Sequence, residues 1–111
     1  MLGLTIFIAQ GCSRPNPNPE LLDPIYADLN SRAAVAKSAS EAAKEEIKKL
    51  QEELAALPAR DPSARKAKED ISKKQIQKTV ADQDALYYEI RAAQRKKYAQ
   101  EAYLKAFDKG Q

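Results

Sequence analysis

The 111-residue chain has no His, no Trp, a single Cys and only three Gly. Each shortage removes a class of function. Without His the commonest general base and metal ligand is missing, so no catalytic residue and no metal site are expected. With one Cys no internal disulfide can form. No Gly-rich phosphate loop and no nucleophilic Ser motif occurs, so no cofactor and no small-molecule substrate are expected either. The sustained apolar run Leu2-Gly3-Leu4-Thr5-Ile6-Phe7-Ile8-Ala9 is far shorter than the about 20 residues that cross a bilayer. Five Tyr and two Phe supply little bulk for a thick globular core.

What the chain does have is abundant Ala with frequent Lys and Glu, the composition of long helices that meet along a narrow seam. Its length allows one domain. Asp23-Pro24 joins a good N-cap to the residue best tolerated at the first helical position, and Leu22 stands where a hydrophobic staple would close over the first turn. No Gly or Pro follows until Pro58, which predicts a first helix over residues 24–57, roughly 50 Å long. Its apolar stripe alternates steps of four and three: Leu22, Tyr26, Leu29, Ala33, Ala36, Ser40, Ala43, Ile47, Leu50, Leu54, Leu57. That spacing is a coiled-coil seam.

Asp61-Pro62 repeats the cap and first turn, so a second helix is predicted over residues 62–107. Its stripe is less regular: Ala67, Ile71, Ile76, Thr79 or Val80, Gln83, Leu86, Tyr87, Ile90, Ala93, Tyr98, Leu104, with Ile76, Tyr87 and Tyr98 eleven residues apart. A short connection between long helices makes them antiparallel neighbours. The expected fold is all-α, an antiparallel coiled-coil hairpin of two long helices over residues 23–109. Folding about Arg60 places residue i beside residue 120 − i, so that Leu50 meets Ile71, Ala43 meets Ile76, Ala33 meets Tyr87 and Leu29 meets Ile90. Large residues would then oppose small ones.

Charge agrees with this pairing. Residues 20–57 carry eight acidic and five basic side chains, and residues 60–111 carry eight acidic and thirteen basic. The opposite balances favour the two helices as neighbours, modestly and less so in salt. They absorb most of the Lys and Arg, and a net charge of +3 gives no separate reason to expect nucleic acid. Lys73-Lys74 and Arg95-Lys96-Lys97 lack an aromatic stacking platform, and carboxylate neighbours such as Glu45-Glu46, Glu52-Glu53 and Asp82 with Asp84 are solvated faces of a thin hairpin.

The longer second helix should project past Pro24, bringing Arg95, Lys96, Lys97, Tyr98, Tyr103 and Phe107 to the end where the first helix begins. Three readings of this end are open. It packs on Leu21, Leu22 and Tyr26, it contacts a protein partner, or it rests on anionic lipid headgroups.

Ahead of the hairpin, Gly11-Cys12 closes the apolar run, and Ser13-Arg14-Pro15-Asn16-Pro17-Asn18-Pro19 follows. An apolar segment ending in Gly-Cys before a polar, Pro-rich stretch resembles the signal peptide and lipobox of bacterial lipoproteins. The pattern departs from theirs in Ala9 and Gln10, and in having no Lys or Arg before Arg14. The resemblance implies that residues 1–11 are a signal peptide and that Cys12 is the first mature residue and the site of lipidation, palmitate included. Two acyl signals hold a protein stably on a membrane where one does not. Ser13 after the cysteine implies export to the outer membrane, facing the periplasm. Residues 12–22 then form a lipidated tether, whose Pro-Asn alternation favours a semi-rigid polyproline II spacer of roughly 25 Å. A tether without fixed form is the alternative.

The expected function is that of a non-enzymatic, lipid-anchored cell-envelope protein whose helical hairpin acts as a scaffold or accessory subunit, binding another envelope protein or a second copy of itself. As a lipidated helical rod it resembles the murein lipoprotein, but its end in Gly110-Gln111 differs from the wall-linked lysine of that family, and covalent wall attachment is not expected. A soluble cytoplasmic coiled-coil adaptor is the alternative. A nucleic-acid-binding basic helix is a third reading, which would require affinity that falls steeply with salt.

Overall fold

The computed structural model describes residues 15–110. Cys12 and the apolar run before it lie outside the described residues. One turn of 3-10 helix (Pro19–Leu22) precedes two long helices, α1 (Pro24–Ala55) and α2 (Pro62–Gly110), and no strand occurs among the described residues. The helices pack antiparallel as a hairpin with extents of 78 × 33 × 14 Å. A body this thin has one seam and no central core.

Both helix starts follow from the Asp-Pro pairs. Asp23 Oδ1 accepts from the Ile25 N–H at 3.1 Å, and Asp61 Oδ1 accepts from the Ser63 N–H at 2.9 Å, while Pro24 and Pro62 occupy first-turn positions where a missing N–H is no loss. α1 stops at Ala55, two residues before the predicted end. Leu57 already turns there, its N–H donating to the Leu54 carbonyl at 3.1 Å, because the residue before Pro58 is kept from helical geometry. α2 continues to Gly110, past the predicted 107. Leu22 is 78% exposed and forms no staple, since the 3-10 turn ahead of Asp23 directs it to solvent.

Along α1 the predicted seam holds. Ala33, Ala36, Ser40 and Ala43 are buried, with Tyr26, Leu29, Ile47, Leu50, Leu54 and Leu57 half-buried at either end. The predicted register holds as well: Lys74 pairs with Glu46, Ser40 Oγ donates to Asp82 Oδ1, and Arg95 Nε donates to Asp23 Oδ2, each close to the fold-back about Arg60.

The face that α2 turns to the seam differs from the predicted one. Ala64, Ala67, Ile71, Ala81, Ala85 and Ala92 are buried, and Lys74, Lys78, Tyr88, Arg95, Ala99 and Tyr103 are half-buried between and beyond them. This set keeps the four-three spacing without drift as far as Ala99. Of the predicted stripe, Ala67 and Ile71 belong to it. Ile76, Thr79, Val80, Gln83, Leu86, Tyr87, Ile90, Ala93, Tyr98 and Leu104 are exposed. The physical reason is the middle of α1. With Ala and Ser on that side and Ala on the other, the helices pack closely and leave no volume for Ile or Tyr between them. Long Lys side chains serve at seam positions by laying their methylene stems along the partner helix while the ammonium stays in water.

Candidate interaction surfaces

Because the seam is taken by alanine, the large apolar residues of α2 face outward. Ile76 is 65% exposed, Leu86 58%, Tyr87 55% and Ile90 50%, with Val80, Tyr98 and Leu104 similarly open. All but Tyr98, which lines a hollow with Ile25 and Leu29 of α1, fall on the side of α2 turned away from α1. Spaced by threes and fours, Ile76, Val80, Gln83, Tyr87 and Ile90 make a second heptad stripe on the same helix. α2 is thus amphipathic twice over, once toward α1 and once toward solvent. Scattered exposed apolar residues are ordinary, whereas a contiguous strip of this kind is a candidate association surface.

The second distinct surface lies where α2 outruns α1. The N-terminal segment does not stand free as the spacer expectation had it. From Pro15 onward it folds alongside α2: the Asn16 N–H donates to Tyr103 Oη at 2.8 Å, and Gln100 Nε2 donates to Glu20 Oε1 at 3.1 Å. Glu20 is 2% exposed, and its Oε2 has no hydrogen-bond partner. Asp23 closes the clasp by receiving both Arg95 Nε and, at 3.4 Å, Arg95 Nη2. That hydrogen bond holds the Asp23 carboxyl below its ordinary value against the opposing effect of burial, with the Ile25 N–H assisting, and raises the Arg95 guanidinium in return.

The predicted contact residues divide at this clasp. Arg95 is half-buried, bound to Asp23, and stacked 4.6 Å over the Tyr98 ring. Tyr103 is half-buried as an acceptor and lies 6.2 Å from the Phe107 ring, which is half-buried beside it. Lys96, Lys97 and Tyr98 are exposed. The end does pack on the N-terminal segment, but through Glu20, Asn16 and Asp23. Leu21 and Leu22, at 70% and 78% exposed, take no part. Sequence reasoning missed Glu20, Asn16 and Gln100. The fold-back that set the hairpin register, carried past Pro24, already pairs Glu20 with Gln100 and sets Asn16 beside Tyr103.

In the middle of the seam, buried Ser40 donates to Asp82, which also receives Lys78 Nζ at 2.7 Å. The Lys78 and Ser40 hydrogen bonds, in that order, lower the Asp82 carboxyl against burial. A polar side chain at one seam position penalises slipped pairings that would leave it alone. This group sets register and makes no cleft for a ligand. The hollows along the hairpin are open grooves such as that between Glu46, Lys49, Glu53, Asp70, Lys73 and Lys74, walled by charges of both signs. Among the described residues no group of three or more Cys, Asp or Glu is placed to hold a metal ion, and no helix is long and apolar enough to cross a membrane.

Compared with known proteins, the chain matches no family model, no curated protein and no solved structure. Its function has to be argued from its own surfaces.

Proposed function

We propose that the chain is a non-enzymatic, lipid-anchored protein of the bacterial cell envelope whose helical hairpin works by binding another protein. The observation that carries the binding role is the exposed apolar strip of α2, a helix that already has a seam partner and yet repeats heptad spacing on its free face. The anchor rests on Gly11-Cys12, the apolar run ahead of it and the Pro-rich stretch behind it. Acylated Cys12 would hold the protein on the membrane, on this reading the outer membrane facing the periplasm. The clasp between Asn16, Glu20, Asp23 and α2 leaves only about three residues between Cys12 and the folded body. The clasp end of the hairpin would therefore be held near the membrane surface.

The test is intact-mass measurement and membrane fractionation of the native protein beside a Cys12→Ala variant. The expected result is a chain lacking residues 1–11 and carrying added acyl mass, membrane-bound, with both properties lost in the variant. The absence of Lys and Arg before Arg14 favours one second reading, a soluble cytoplasmic coiled-coil adaptor. An unmodified full-length chain in the soluble fraction would establish that reading and end the first.

A further inference from the structure

We propose that the exposed strip of α2 is the pairing face of a homodimer in which two hairpins associate antiparallel, α2 against α2 with the α1 helices outermost, centred on Gln83. The inference deepens the binding role proposed above by naming the partner as a second copy of this chain, and it does not depend on the lipid anchor.

Three features of the strip support a second copy. The first is area. Six large apolar side chains, each about half exposed or more, present on the order of 600 Å², and the Thr, Gln and Ala between them bring the face toward the ~800 Å² per partner that stable interfaces bury.

The second is self-complementarity. In an antiparallel pair centred on Gln83, residue i lies level with residue 166 − i of the other copy. Ile76 then meets Ile90 of the second copy, Val80 meets Leu86, and Gln83 meets its own equivalent, an amide pair able to donate and accept across the two-fold axis. Tyr87 falls level with Thr79, whose methyl group its ring can cover, and Leu104 falls level with Pro62.

The third is charge. The strip is flanked by Glu69 at one end and by Lys97 at the other, in heptad phase with Ile76, Gln83 and Ile90, and neither joins an ion pair among the described residues. The same centring sets Glu69 level with Lys97 of the second copy, twice over by symmetry. A parallel pair would instead stack Glu69 on Glu69, Lys73 on Lys73 and Lys97 on Lys97. Like charges in register oppose that arrangement. A different protein partner would have no reason to find opposite charges placed at equal distances from one glutamine.

The experiment uses the full chain with Cys12→Ala, so that neither acylation nor the native thiol intervenes. Sedimentation equilibrium is expected to give twice the 12.3 kDa chain mass at micromolar concentration. Ile90→Glu, which lies outside the hairpin seam, should leave the helical circular dichroism intact and weaken pairing by roughly 100-fold or more, because the symmetric interface loses the contact twice. Orientation is read by mixing a Glu69→Cys chain with a Lys97→Cys chain under mild oxidation. The mixed disulfide should dominate. A monomeric mass, an Ile90→Glu chain that pairs as well as its parent, or disulfides joining Glu69→Cys chains to each other would each overturn the proposal. Loss of acylation in the Cys12 test would leave it standing, so the two readings fail separately.

Discussion

Replacing Ala33 with Leu tests whether the hairpin is held by close approach of small residues. Ala33 is 5% exposed and lies across the seam from Ala85 and Tyr88. Leu adds three carbons at a point where neither wall can retreat without parting the helices. Leu and Ala have similar helix propensity, so α1 itself is little affected. Overpacking a filled site costs about 1–3 kcal/mol. In a domain of this size about 2 kcal/mol lowers Tm by on the order of 10 °C. The assay is thermal unfolding followed by circular dichroism, in the Cys12→Ala background at one protein concentration. Ala34→Leu is the control: the same chemical change at the adjacent, exposed position should stay within about 0.5 kcal/mol of the parent. A seam built on large residues facing small ones would have room for Leu at position 33 and would gain from it. An unchanged or raised Tm for Ala33→Leu would therefore refute the close-packed alanine seam.

Three further outcomes follow from the same structure. Ile71→Ala should cost about 2–5 kcal/mol because Ile71 is buried in the seam, whereas Ile76→Ala, measured at a dilution where chains are unpaired, should cost less than about 0.5 kcal/mol; denaturant melts of both variants compare them directly. Glu20→Ala should destabilise by about 1–3 kcal/mol, since it strips the Gln100 amide of its acceptor inside the clasp, and an unchanged Tm would show that the clasp contributes nothing in solution. Acid should weaken the hairpin in a stated window. Asp23 and Asp82 both have folded pKa values below the ordinary 3.8, so the unfolded chain takes up protons first as pH falls. Their contribution is complete above that value and is lost as pH drops through the lower folded values. Tm against pH should be shallow near neutrality and fall steeply in acid, and less steeply in an Asp23→Asn/Asp82→Asn chain.

The fold was legible because its signals are local and mutually consistent. Two Asp-Pro pairs start the helices, Pro58 stops the first one, and the fold-back about Arg60 gives the register to within a few residues from the loop alone. The face of α2 was not legible by weighing bulk. Ile76, Tyr87 and Ile90 are the natural choices for burial if each helix has a single partner, and they mislead when the helix has two apolar faces. The spacing itself held the answer. Ala64, Ala67, Ile71, Lys74, Lys78, Ala81, Ala85, Tyr88 and Ala92 keep strict steps of three and four, whereas the bulky set needed a drift in phase. The clasp was hidden for a different reason: a Pro-Asn stretch reads as extended chain from its own residues, and only its contacts with Gln100 and Tyr103 fold it back.

The clasp and the pairing face together constrain how an anchored dimer would sit. Asn16 is tied to Tyr103, so the start of the described chain lies at one end of α2. In an antiparallel pair centred on Gln83, the Tyr103 of one copy is level with Ser63 of the other. The two N-terminal ends are therefore separated by 40 helical residues, or about 60 Å. With only a few residues between Cys12 and each clasp, two anchors in one membrane cannot meet at a point, and the pair has to lie along the surface with a lipid at each end. A single anchored hairpin is under no such constraint and is free to stand away from the membrane. The orientation of the rod thus depends on whether the apolar strip is paired. Fluorescence energy transfer from a dye at the loop, at Arg60→Cys in chains acylated through Cys12, to an acceptor in the lipid distinguishes the two. Transfer that rises with surface density as chains pair follows from the lying pair, and transfer independent of density would separate pairing from orientation.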